Sequence, residues 1–165
     1  DAAERLAHLS IAAVYSSPVE RCMETAVYIA DSHKLPIQQV EAIGEVRYGK
    51  WEGKKIEKLA KKPLWKTVQH YPSRMRFPKG ETLRGVQSRA VDALEKLSEQ
   101  HVDETIVVVS HADLIKLVVA HYLGTHIDLF QRIIISPASV SVLSLLANGG
   151  MRVVRVNDNG RLQAN

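Results

Sequence analysis

The run Thr105-Ile106-Val107-Val108-Val109 constrains the possible folds more than any other segment of this chain. Consecutive β-branched residues with no polar alternation read as a strand buried on both faces, and such strands belong to parallel sheets covered by helices. The flanks agree. From Glu81 onward, Leu83, Val86, Ala90, Leu94 and Leu97 recur at steps of three and four, the pattern of a long amphipathic helix. After the strand, residues 113–123 continue as an apolar helix stopped by Gly124.

The remaining segments complete the pattern. A helix-like opening over Ala2, Ala3, Leu6, Ala7 and Leu9 precedes a strand at 11–15. Ser16-Ser17-Pro18 then reads as a helix cap with proline in the first turn of a helix over 18–32. A second strand is predicted at 36–40. Loop follows over 41–53, punctuated by Gly44, Gly49 and Gly53, and two short helices over 54–61 and 64–70. Pro72 and Phe77-Pro78-Lys79-Gly80 mark another loop. Runs 139–146 and 151–156 flank Asn148-Gly149-Gly150 as a hairpin. The predicted fold class is α/β: a three-layer α/β/α domain over residues 1–165, its sheet mostly parallel with an antiparallel edge hairpin.

Composition narrows the function classes. The longest apolar run, near Val140 to Ala147, is far shorter than the roughly 18 residues of a spanning helix, so no membrane partner is expected. Cys22 is the single cysteine, which excludes an internal disulfide and fits a reducing, cytoplasmic setting. A net charge of +4 and nine aromatic residues in 165 give little for nucleic-acid backbone binding or base stacking. Lys54, Lys58, Lys61 and Lys62 form a basic stripe, which reads as a solvated face or, in a second function class, as an anion or nucleic-acid binding surface.

In a parallel sheet ligands bind beyond the carboxyl ends of the strands. The segments leaving the predicted strands are Ser16 to Arg21, Glu41 to Glu52, and Ser110-His111-Ala112-Asp113. Together they offer hydroxyls, a helix start, an arginine, carboxylates and an imidazole, a constellation suited to an anion. Arg21 lies one turn into a helix and carries a guanidinium that matches phosphate oxygens; its alternative is a surface pair with Glu20 or Glu24. His111, at a strand exit and a helix start, stands apart from the other histidines, which fall on polar helix faces or ends. Its alternative is a backbone-satisfied core histidine. Ser16 and Ser17 read as caps, with one hydroxyl turned to ligand as the alternative, and neither they nor Ser110 has a recognisable base nearby in sequence. No metal motif is present. His111 and Asp113 are a lone pair of possible ligands, with no HExxH and no CxxC, and Gly49 to Lys55 departs from a phosphate loop in spacing and in its last residue.

These motifs, taken in order, resemble a known family. Ser16-Ser17-Pro18-Val19-Glu20-Arg21-Cys22-Met23-Glu24-Thr25-Ala26 resembles the SSPxxRxxxTA signature of the histidine phosphatase superfamily, which has the phosphoglycerate-mutase-like fold. Glu45 to Gly53 is similar to its ExxxGxWEG segment, Gly80-Glu81-Thr82 to its GES/GET segment and Val109-Ser110-His111-Ala112 to its VSHG segment. Segments 62–69 and 130–142 are similar to a bacterial branch of phosphomutases and phosphatases.

The resemblance implies a phosphomonoester hydrolase working through a phosphohistidine on a small phosphorylated substrate, with no cofactor and no metal. Glu45 would be the proton donor and then the base. Arg21 and His111, with the backbone amide of Ala112, would bind the phosphoryl group. Ala112 replaces the family's glycine, which the amide tolerates, and Arg47 stands where an acid is common, making the rim more basic. A phosphomutase of the same family, or an inactive anion or nucleic-acid binding remnant, is the alternative. The short chain leaves little room for the insertions of true mutases, so phosphatase is expected; a homodimer stays open. The family's nucleophile lies in an Arg-His-Gly motif on its first strand, and no Arg-His pair occurs here. The chain is therefore expected to lack that strand and the loop after it, upstream of Asp1.

Overall fold

The computed structural model describes residues 2–146 and 149–160. Helix α1 (Ala2–Leu6) leads into β1 (Ile11–Ser16), α2 (Glu20–His33) and β2 (Ile37–Gln39). Short helices α3 (Ile56–Leu59) and α4 (Pro63–His70) precede the long α5 (Leu83–Gln100), then β3 (Thr105–Val109) and α6 (Ala112–Tyr122). Strands β4 (Val140–Leu145) and β5 (Met151–Asp158) close the order. The turn predicted between them rests partly on Asn148, which lies outside the described residues.

Strands β2, β1 and β3 form a parallel sheet in that spatial order, with Val14 opposite both Ile37 and Val107. The alternation of the pleat sorts their side chains into two cores. Val14, Val107 and Val109 pack with Ala26, Ile29 and Ala30 of α2 and Leu6 of α1. On the other face Ala13, Tyr15, Ile106 and Val108 meet Ala93 and Leu97 of α5. This is the helix, sheet, helix layering expected. A third and larger core joins α5 and α6 to the 46–77 segment around Val86, Leu117, Phe77 and Phe130.

Several local expectations are corrected. The antiparallel pair forms a two-stranded sheet of its own rather than an edge of the parallel one, because among the described residues β3 pairs only with β1. For the same reason Ile106 to Val109 are half-buried, not enclosed. Helix α2 starts at Glu20 with Val19 as its cap residue, so Ser16 belongs to the strand and Pro18 precedes the helix. The 54–61 helix shrinks to a single turn. Lys62 is extended because the following Pro63 disfavours helical backbone there, so the lysines do not share one helix face. His101, one of the histidines read at a helix end, is held between the Tyr15 hydroxyl at 2.8 Å and Glu104 at 2.6 Å.

The 41–53 loop is anchored by a close approach to the 77–81 turn. Glu81 N donates to the Arg47 carbonyl at 2.9 Å and Lys50 N to the Pro78 carbonyl at 2.9 Å. There is no room for a side chain between them: a Cβ on Gly80 would run into the Arg47 carbonyl oxygen and stand 2.9 Å from Phe77 Cβ. Gly80→Ala is therefore expected to destabilise the domain by about 1–3 kcal/mol, the range for overpacking. Urea unfolding measures it, and an unchanged midpoint would mean that the two loops separate freely.

Candidate active site

Parallel pairing brings three loops to one end of the sheet. Ser17 N donates to the Val109 carbonyl and Val40 N to the Ser16 carbonyl, each at 2.9 Å, so the chain leaves all three strands at one level. Ser110 Oγ donates to the Ile43 carbonyl at 2.7 Å, tying the β3 exit to the β2 exit. Arg21, from the first turn of α2, then reaches Glu45 and His111.

Arg21 Nη2 donates to Glu45 Oε2 at 2.9 Å and to His111 Nδ1 at 2.7 Å. The pairing with Glu20 or Glu24 open to sequence reading is not formed; the guanidinium turns across the loops instead. Its side chain is 60% exposed, while the His111 side chain beneath is 1% exposed. An incoming anion therefore meets Arg21 first. Beside it an open cleft of about 390 Å³ is walled by Pro18, Val19, Arg21, Glu45, Arg47 and Tyr48, a size within the range of small-molecule sites.

The protonation of His111 follows from its neighbours. A guanidinium can only donate, so Nδ1 must accept, and the ring proton lies on Nε2. Nε2 faces the Ser17 hydroxyl at 2.7 Å and Cys22 Sγ at 3.6 Å. Burial first, then the charges of Arg21 and Arg89, push the His111 pKa down to about 4. The 3.4 Å approach of Nδ1 to Glu45 Oε2 is thus contact with a neutral ring, not an ion pair. Burial and the charge of Asp113 raise the Glu45 pKa above the ordinary value, against the hydrogen bond from Val46 N and the pull of Arg21. A carboxyl so biased toward its protonated form can donate a proton. Ala112 opens α6 at an exposed first position, where helix amides lack intrahelical partners.

Arg21, Glu45, His111 and Ala112, all picked from sequence, thus converge on one end of the sheet. Ser17 was missed as a partner of His111: it is fully buried and bonded to the ring rather than capping a helix. Tyr48 was missed too. Its hydroxyl donates to Asp113 at 3.1 Å, and burial together with the Asp113 and Glu45 charges raises its pKa. Spacing alone could not pair residues so distant in the chain. Among the described residues no group of three or more His, Cys, Asp or Glu side chains could hold a metal ion, and no helix is long and apolar enough to cross a membrane.

Comparison with known proteins decides the family. The model of the histidine phosphatase superfamily, branch 1, matches residues 1–159. The chain belongs to this superfamily. It is 29% identical over 145 residues to phosphoserine phosphatase 1 of Hydrogenobacter thermophilus, covering 87% of this chain and 69% of that one. It is also 29% identical over 153 residues to a bifunctional protein of Mycobacterium tuberculosis, and spans 42% of that relative's length. Among solved structures, YhfR of Bacillus stearothermophilus superposes with a TM-score of 0.89 at 26% identity, covering 95% of this chain and 79% of that one. A mycobacterial glucosyl-3-phosphoglycerate phosphatase shares the fold at TM-score 0.84 and 20% identity, with 96% and 82% coverage. The histidine phosphatase fold is thus the one described above.

Neutral His111 makes stability depend on pH in a defined direction. The folded ring titrates at about 4 and the unfolded one near the ordinary 6.5, so between these values only the unfolded chain holds the proton. Its contribution is complete above pH 6.5 and is lost as pH falls toward 4. His111→Gln should remove that share. Urea unfolding at pH 7 and pH 4.5 is expected to give a smaller acid loss in the variant; equal losses would mean that His111 is charged in the folded state.

Proposed function

We propose that this chain forms the substrate-binding and acid–base part of a phosphomonoester hydrolase that works through a phosphohistidine. The observation that carries the reading is the Arg21 guanidinium spanning Glu45 and His111 at the mouth of the cleft. A phosphoryl group has the charge and the oxygens to take the Glu45 carboxylate's place on Arg21. Released from that bond, Glu45 loses a partner that favours its ionised form and becomes the proton donor.

The steps follow. A histidine nitrogen attacks phosphorus while the bond to the ester oxygen breaks, and Glu45 gives its proton to the departing alkoxide. Glu45, now a carboxylate, takes a proton from the attacking water as the N–P bond breaks, and phosphate leaves. Arg21 and the Ala112 amide bind the phosphoryl oxygens throughout, and His111 joins them through Nδ1 once Arg21 has turned from that nitrogen to the phosphoryl group and the ring has taken a proton from the incoming phosphate monoanion. His111 is the weaker candidate for nucleophile because Arg21 occupies its Nδ1 and Ser17 its Nε2. The attacking histidine is proposed on a further strand paired with the edge of β3 that has no partner among the described residues. Supporting this are the aliphatic run at Ile106 to Val109, half-buried in the described residues, and the lack of any Arg-His pair in the 165 residues.

Hydrolysis rather than transfer to a second hydroxyl is favoured by the relatives, which are named as phosphatases. Their named substrates, phosphoserine and glucosyl-3-phosphoglycerate, each join a phosphate ester to a carboxylate. Arg47, 71% exposed on the cleft wall, is suited to the carboxylate of such a small substrate. The reaction is proposed to run without a metal, since Arg21 and the amides supply the charge compensation. A cytoplasmic setting suits Cys22, a buried free thiol.

Glu45→Gln, made in the protein that carries this chain, tests the reading. Turnover of an alkyl phosphate is expected to fall by about 10²–10⁴, the range for general acid catalysis, with a much smaller loss for a nitrophenyl phosphate that leaves unprotonated. Dialysis against EDTA should leave both rates unchanged. Equal losses on the two esters would remove Glu45 from the role, and a metal-restored loss would replace the mechanism.

A further inference from the structure

We infer that Arg89, on α5 and outside the cleft wall, is the positioning residue for the general acid. Its guanidinium has five N–H groups, and all five are used. Nη1 donates to the carbonyls of Ala42 and Gly44, the latter at 3.0 Å and the former at 2.6 Å, and Nη2 to the carbonyl of Glu45 at 3.1 Å. The remaining two bonds run to Glu81, Nε to Oε1 at 2.9 Å and Nη2 to Oε2 at 3.0 Å. Three carbonyls within residues 42–45, where the short 3-10 turn Glu41–Ile43 ends, are thus held by one planar fork.

Glu81 secures the other side of the acid. Its Oε2 accepts from Arg47 N at 3.0 Å and its own amide donates to the Arg47 carbonyl. Residues 42–45 are therefore fixed by Arg89 and residue 47 by Glu81, and Glu45 stands between the two anchors. The Arg89–Glu81 pair is mostly buried, each side chain 22% exposed. Burial alone would raise the Glu81 pKa, but the Arg89 bonds and the Arg47 amide outweigh it and hold the carboxyl below the ordinary range. A lysine at 89 could match the charge of Glu81 yet has three donors on a point, and could not serve three carbonyls and a carboxylate in one plane. Glu45 needs such support because it lies in an irregular stretch between two 3-10 turns, Glu41–Ile43 and Gly49–Trp51, and small displacements of a catalytic group cost rate steeply.

The clamp itself is independent of chemistry, whereas its meaning for catalysis rests on the reading of Glu45 as the acid. Arg89→Lys in the full chain separates the two. Amide hydrogen exchange of Gly44, Val46 and Arg47, followed by NMR, is expected to quicken at least about tenfold while the core amides of α5 keep their protection. The Glu45 carboxyl, followed by carbon NMR, should titrate lower than in the parent chain, because a loosened loop lets water reach it. In the protein that carries this chain, kcat for an alkyl phosphate should fall at least about tenfold with KM little changed, and less for a nitrophenyl ester.

Unchanged exchange and an unchanged Glu45 titration would overturn the clamp, whatever the kinetics. Altered exchange and titration, with Glu45→Gln itself indifferent to the leaving group, would retain the clamp and overturn the acid reading instead. Should Arg89→Lys not fold, Glu81→Gln carries the same test from the other partner, with changes in the same direction, and unchanged exchange and titration there overturn the clamp equally.

Discussion

Arg21 links three loops that leave three different strands, and the rest of the site depends on that link. Its own backbone follows β1, Glu45 follows β2 and His111 follows β3, so the guanidinium can bridge them only because the strands run parallel and end together. An antiparallel neighbour would send one of these loops to the opposite end. The 2.7 Å bond to Nδ1 also dictates chemistry, since it fixes the tautomer of His111 and disfavours its protonation.

The site thus holds an unusual balance of charge. A neutral imidazole is buried beneath an exposed cation, and a carboxyl of raised proton affinity lies at 2.9 Å from the same cation. Arg21 paired to Glu45 at a surface is worth little in stability, because the exposed guanidinium is well hydrated without its partner. Its significance is that it can be exchanged: a phosphoryl group offers Arg21 more negative charge than Glu45 does. In the proposed reaction the acid is freed when substrate arrives, while the proposed Arg89–Glu81 clamp holds the backbone beneath it.

Much of this was legible in the sequence, for identifiable reasons. The β-branched run at Ile106 to Val109 and the apolar steps of α5 are local signals with a fixed period, and both elements formed where predicted. Arg21, His111 and Glu45 were found because strand exits in parallel sheets collect ligands and because ordered motifs resemble a family. Ser17 was misread because a Ser-Ser-Pro run is a local cap signal, whereas its hydroxyl is bonded to a ring 94 positions away. Arg89 carries no such signal: it sits within a long amphipathic helix, and nothing in its spacing announces three carbonyls of another loop. Nor does spacing say that the closing hairpin stands as a separate sheet, because its strands read the same whether or not β3 is their neighbour.

The most direct test is a crystal structure of this chain with orthovanadate. The oxyanion is expected against Arg21, with its oxygens within hydrogen-bond distance of the guanidinium and of the His111 ring or the Ala112 amide, and with the Arg21–Glu45 bond broken. Vanadate bound elsewhere, for example on the lysines between 54 and 62, with Arg21 still joined to Glu45, would contradict the account.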